Sequence, residues 1–348
     1  MTIPLLQKRL GRRALGAMAA GAAGAAAGLG SFAPRRARAA AKYTMRLGCD
    51  IPPDHPIGTH LVAAAKAIES ETNGQVNILV FNNNELGDDT HMLAQLRAGA
   101  IEFMSVGDNI LAELVPSVAI DNIGFAFKDA ATAWAALDGD VGEIVRADMK
   151  NTGLHAMPKI WDEGFRQITT STKPINGPLD LRGFKIRVPP SPISLSIFKD
   201  LGASPLTLNA SELYTALQTH LADGQENPLG TIEANKFYEV QKYCSMTNHM
   251  WVGYWLVANL NSWNRLPANL QAAIQNGFDA QVAAQRTETE QLNNSLIPKL
   301  TEQGLTFNTP DIVPFRQALE TSGFYKYWQG KFGTRLWSAL EKYSGSIS

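Results

Sequence analysis

The sequence predicts an α/β protein of two lobes, and three observations carry that prediction. At 348 residues the chain is long enough for two domains of ordinary size. From residue 43 onward, apolar and β-branched runs alternate with amphipathic stretches of helical period. One helical stretch, 267–303, would reach about 50 Å at 1.5 Å per residue, longer than a single small lobe is wide. A helix of that length can brace two lobes. Hydrophobic residues make up 45% and charged residues 18%, which excludes a largely disordered chain. Only two cysteines are present, excluding a disulfide scaffold or a multi-cysteine metal site.

The elements follow in order. Residues 1–39 carry seven basic side chains and no acid. The twin arginine Arg12-Arg13, the uncharged Ala/Gly-rich run Gly16 to Ala33 and the small residues of Ala37-Arg38-Ala39 read as a twin-arginine export signal. Its apolar run is too short and too glycine-rich for a membrane anchor. Cleavage is expected to leave Ala40 or Lys42 as the first residue. Without the signal, 24 basic residues face 32 acidic ones. That acidic balance argues against nucleic-acid binding, which needs a basic footprint.

Tyr43 to Cys49 reads as the first strand, with Cys49 a buried thiol; a bridge from Cys49 to Cys244 is permitted but nothing places the two together. A helix over 57–72 follows Pro52-Pro53, lined by Leu61, Ala64, Ala65 and Ile68 and stopped by Gly74. Strands are predicted at 75–81 and 101–106, separated by a helix that starts at Asp88-Asp89, acids at its positive end. Next come a helix over 130–149 and a strand over 154–161 ending in Trp161. The second half predicts a strand at 184–188, helices at 192–201 and 210–219, a short strand at 221–223 and a strand at 254–259.

Enzyme chemistry finds little support. Six histidines are scattered without metal-ligand spacing and read as surface or helix-end residues. No Gly-x-Ser-x-Gly elbow is present. The pair Asp162-Glu163 reads as solvated loop charge rather than a glycosidase pair. What stands out is Trp161 through Arg166, then Leu181 through Pro192, then Asp223-Gly224-Gln225-Glu226-Asn227-Pro228. Arg187 lies on a strand that Pro189-Pro190 ends, so its planar fork can face a cleft and hold a carboxylate bidentately. Taken singly, Arg187 and Arg166 also fit surface strand charges, and Asn227 fits a turn.

Taken together, the segments 84–89, 96–102, 183–189, 216–218, 223–228, 236–243 and 246–249 resemble the substrate-binding proteins of TRAP (tripartite ATP-independent periplasmic) transporters. The resemblance spans essentially the whole chain after the signal. It implies a two-lobed periplasmic binding protein fold with crossing hinge strands and a long lobe-spanning helix. Lobe one would be 42–163 plus 253–292, and lobe two 164–252 plus 293–348. It implies a non-catalytic receptor, without cofactor or metal, that closes on a small organic acid and delivers it to the membrane permease subunits. Arg187 matches the family's carboxylate-gripping arginine, Asn227 an amide bonding the same group, and Arg166 a second arginine used by many members. Sialate-binding members carry other residues at Gly107, Pro190 and Ala210, which argues against that ligand. The residues expected to discriminate are Asp108, Asn109, Trp161, Trp251, Tyr254 and Trp255. Tryptophans at strand ends are more often core, but in a cleft they would suit a ligand with an apolar or aromatic body. The chain is expected to act as a monomer. The rival expectations are an exported enzyme using Arg187 to orient its substrate, and a stand-alone sensor.

Overall fold

In the computed structural model, which describes residues 41–347, the alternation becomes short strands and covering helices. The expected export signal, residues 1–39, lies outside the described residues, as does the expected start at Ala40. β1 (Tyr43–Cys49) leads to α1 (Pro56–Glu71), whose start is fixed by Pro56 and by the His55 ring accepting from the Ile57 amide. β2 (Val76–Phe81) precedes α2 (Asp89–Ala98), which Asp88 caps by accepting from the His91 amide at 2.9 Å. Then come β3 (Phe103–Gly107), α3 (Asp108–Leu111), α4 (Ala130–Asp138), α5 (Asp140–Asn151), β4 (Leu154–Ala156), β5 (Trp161–Phe165) and β6 (Gln167–Thr170). β7 (Lys185–Val188), α6 (Pro192–Asp200), β8 (Ser204–Thr207), α7 (Ala210–Gln218), β9 (Gly224–Asn227), α8 (Leu229–Ala234) and β10 (Tyr243–Ser245) follow. The chain continues through β11 (Trp251–Asn259), α9 (Leu260–Asn264), α10 (Ala268–Glu302), β12 (Thr306–Asn308), α11 (Val313–Ser322) and α12 (Phe324–Ser344).

The strands form two sheets, one per lobe. The first has the order β2-β1-β3-β11-β4, with β5 also pairing β11; β1, β2 and β3 are parallel, and β11 runs against its neighbours. The second has the order β12-β10-β6-β9-β7-β8. The chain crosses between sheets at Arg166, from β5 to β6, and again over 246–250, from β10 to β11. The crossings are tied together: the Arg166 amide donates to the Met250 carbonyl at 2.8 Å, and the Asn248 amide donates to Gln167 Oε1 at 3.1 Å. Gly164, just before the crossing, has φ +117°, and a Cβ there would lie 2.7 Å from Asn293 Nδ2.

α10, 35 residues long, packs on α1 and β5 and farther along on α8 and β12. Its Gln285 accepts from the Asp162 amide (3.0 Å) and donates to the Asp162 carbonyl (2.6 Å), fastening the helix to β5. The stretch 293–348 divides: α11 packs on α6, whereas α12 packs on α4 and α5.

Five local expectations change. The helix expected over 130–149 breaks at Gly139, whose ψ of −145° no helix accommodates. The strand expected over 154–161 is two strands, β4 and β5. The strand expected at 221–223 starts three residues later, at Gly224. Asp162 and Glu163 are not solvated loop charges but buried residues of β5. Of the histidines expected at surfaces or helix ends, His249 is buried between Thr247 and Glu226. Cys49 and Cys244 are buried free thiols in different sheets.

Candidate functional site

The carboxyl ends of parallel strands from both sheets converge on a cavity of about 310 Å³. From the first lobe, Asp50 follows β1, Asn83 and Asn84 follow β2, Asp89 opens α2, Asn109 follows β3, and Tyr254 lies on β11. From the second, Arg187 lies on β7, Ser211 and Tyr214 lie on α7, and Asn227 ends β9. Glu163 and Arg166 reach it from the crossing.

The two arginines differ in their partners. Arg166 makes a forked pair with Glu226, its Nη2 lying 3.1 Å from Oε1 while Nε bonds Oε2. The same Nη2 donates to the Glu226 carbonyl (2.6 Å) and to Asn227 Oδ1 (2.9 Å), and Nη1 lies 3.6 Å from Glu163. Burial alone would lower the Arg166 pKa, but Glu226 and Glu163 outweigh it and the guanidinium is held fully charged. Burial pushes Glu226 up, and the charge of Arg166 with the hydrogen bond to His249 more than reverses that, leaving it below its ordinary value.

Arg187 is as buried as Arg166, each 2% exposed, yet among the described residues no carboxylate lies within ion-pair distance of it. Its Nε and Nη2 donate to the Leu208 carbonyl at 2.9 and 2.6 Å. That fixes the plane of the guanidinium and leaves the Nη1–Nη2 edge for a bidentate partner. Burial, reinforced by the charge of Arg166, lowers Arg187 to about 10.

Three acids complete the wall. Burial raises Asp50, and Asp89 raises it further; burial raises Asp89; burial raises Glu163 to about 7 against the pull of Arg166. The Tyr254 hydroxyl donates to both Asp50 oxygens at 3.1 Å. Glu163 also accepts from Thr231 at 2.6 Å.

Of the residues singled out in the sequence, the structure brings Arg187, Arg166, Asn227, Asn109 and Tyr254 to the cavity. Asp108 lies behind it, accepting from the Gly253 and Asn109 amides, both at 2.6 Å. Trp161, Trp251 and Trp255 do not line it; they are core residues, each at most 1% exposed, and the Trp251 indole donates to Asp162 at 2.8 Å. Sequence reading missed Asp50, Asp89, Glu163, Asn83 and Asn84. One signal was available: each of Asp50, Asn83 and Asn109 lies within two residues beyond a parallel strand, where open α/β sheets bind ligands. Among the described residues no cluster of three or more His, Cys, Asp or Glu side chains is arranged to hold a metal.

Residues 47–334 match the family described as bacterial extracellular solute-binding protein, family 7. The 2,3-diketo-L-gulonate-binding periplasmic protein YiaO of Escherichia coli (strain K12) is 32% identical over 72% of this chain and 77% of its own length. Among solved structures, the sugar acid binding protein DctPAm of Advenella mimigardefordensis, in complex with galactonate, superposes with a TM-score of 0.83 and 28% identity, covering 89% of this chain and 100% of that one. A TRAP periplasmic solute binding protein of Sulfurospirillum deleyianum with bound succinate gives a TM-score of 0.81 and 28% identity, covering 88% and 99%.

Proposed function

The chain belongs to family 7 of the bacterial extracellular solute-binding proteins, and from that premise we propose that it is the periplasmic receptor of a TRAP transporter. It captures a small organic acid by its carboxylate and hands it to the membrane permease subunits. The observation that carries this reading is Arg187, a buried cation in a cavity, held in plane by a backbone carbonyl and with no carboxylate among the described residues within ion-pair distance. Leaving a buried charge unpaired is costly, and a ligand carboxylate on the open edge relieves that cost. Asn227 positions Arg166 from the same wall and Asn109 faces it from the other lobe. The acids bound to the solved neighbours, galactonate and succinate, are of a size such a cavity admits.

Closure follows from the same geometry. A carboxylate on Arg187 whose body touches the first lobe binds best when both walls meet, so ligand shifts the population toward the closed form. The lobes of this proposal are 42–163 plus 253–292 and 164–252 plus the C-terminal part, with α12 packed back on α4 and α5. The receptor acts without catalysis and as a monomer.

A thermal-shift screen of organic acids tests the reading. Ligand at about 100 times its dissociation constant adds about 2.7 kcal/mol, and the ligand is to be recovered unchanged. Turnover, or no stabilisation by any organic acid, overturns it. Export is proposed to use Arg12-Arg13. Replacing both by Lys should leave precursor in the cytoplasm, and normal periplasmic accumulation on an immunoblot would remove the twin-arginine route.

A further inference from the structure

The cavity is polar in an uneven way. The charge of Arg166 is already cancelled by Glu226 and Glu163, so Arg187 is the only cavity-lining cation among the described residues left to balance Asp50 and Asp89. Asp89 is 4% exposed, and no described residue donates a hydrogen bond to its carboxylate, which borders the cavity. Asp50 receives one donor, the Tyr254 hydroxyl. On the same wall the buried Asn84 Oδ1 has no partner among the described residues. In their ionised form the first-lobe acids, with Asn84, offer acceptors that lack donors among the described residues, and a buried acceptor left unmatched is expensive. A ligand carboxylate on Arg187 also engages the one positive charge that Asp50 and Asp89 face. A second carboxylate would then meet two acids and no free cation.

We propose, resting on the receptor reading above, that the ligand is a monocarboxylate whose remainder presents hydrogen-bond donors, hydroxyl or ammonium, to Asp50, Asp89 and Asn84, and that the site discriminates against dicarboxylates. Asp89 is the specificity-determining residue. It opens α2 directly after its cap, so its backbone is fixed by the helix while its carboxylate is free to accept.

Calorimetry with the full mature chain on matched pairs tests this. D-erythronate and meso-tartrate differ only in a terminal CH2OH against a carboxylate, as do galactonate and galactarate. The pair 4-aminobutanoate and glutarate replaces an ammonium by a carboxylate. The donor-bearing member of a binding pair should bind at least about tenfold more tightly, since like charges in contact are strongly unfavourable. Preference within the first two pairs identifies hydroxyl donors, and within the third an ammonium. Asp89→Asn keeps the shape, removes the charge and supplies a donor, so it should narrow the gap by strengthening the dicarboxylate. Circular dichroism confirms that the variant is folded. A dicarboxylate binding as tightly as its partner, or an unchanged gap in folded Asp89→Asn, overturns the inference, and so does binding by none of the six. A dicarboxylate that binds as tightly as its partner, and weakens in Arg187→Lys, overturns it while carboxylate capture stands; ligand affinity indifferent to Arg187→Lys undoes the capture itself.

Discussion

Arg166 and Arg187 border one cavity and are equally buried, but the protein ion-pairs the first with its own acids and, among the described residues, hydrogen-bonds the second only to a carbonyl. The difference separates frame from site. A buried cation neutralised from within holds the crossing strands together, whereas a buried cation left open is a place for a charge from outside. The same division appears among the acids: Glu226 is locked to Arg166 and His249, while Asp89 has no donor among the described residues.

The contrast can be broken most directly at Arg166. Arg166→Ala strands Glu226 and Glu163 in the interior and should cost about 3–5 kcal/mol of stability by urea denaturation. A variant that keeps wild-type stability and loses only ligand would place Arg166 beside Arg187 as a gripping residue, and the contrast would collapse. Arg187→Ala should do the reverse. Affinity should fall by about 2–5 kcal/mol, roughly 30-fold to several thousand-fold, while ligand-free stability holds or rises. It should rise because the folded state disfavours this cation, as its depressed pKa shows. Calorimetry and denaturation on the same preparation read both quantities.

The acids sharpen the comparison through pH. Glu163, raised to about 7, and Asp89, also raised, bind protons more tightly in the folded chain than in the unfolded one. Stability of the ligand-free protein should therefore fall as pH rises from about 4 to about 7, by on the order of 1–2 kcal/mol, and Asp89→Asn should flatten the slope. Glu226, held low, acts oppositely: its contribution is present above its ordinary value and is lost as pH drops beneath it. Urea midpoints at pH 5 and 7.5 decide, and a midpoint that rises across that range would contradict the assignment. The smallest effect is expected at Trp255→Phe. Its indole N–H is buried without a partner among the described residues and its ring lies in the core, so stability should change by less than about 1 kcal/mol and affinity not at all. A loss of affinity there would bring the aromatic wall back into the cavity.

Most of the framework was legible in the sequence because apolar period and capping chemistry agree there: Asp88 caps α2 and Gly99 ends it in the left-handed region. The failures share a cause, since hydrophobic pattern is blind to buried polar strands. β9 is Gly-Gln-Glu-Asn and fully buried, because Gln225 donates to Thr169 and Glu226 meets Arg166. The neighbouring Leu221-Ala222 looked the better strand on apolarity alone, yet Leu221 is exposed. Asp89 was legible as a helix-start acid, and that local role concealed its second one. The tryptophans show the converse: large rings at strand ends suggested a ligand wall, and packing claimed them.

The two strand crossings, with the passage along α10 from β11 to β12, also set the order in which this molecule can be assembled. Tyr254 of β11 pairs with Gly107 of β3, and Thr306 of β12 with Tyr243 of β10, so the first sheet waits for a strand that follows most of the second. Neither sheet is drawn from one contiguous stretch of chain, and no single cut separates the two. Closing so long a loop before its contacts form makes folding slow, and sharing strands across the boundary makes unfolding one cooperative event.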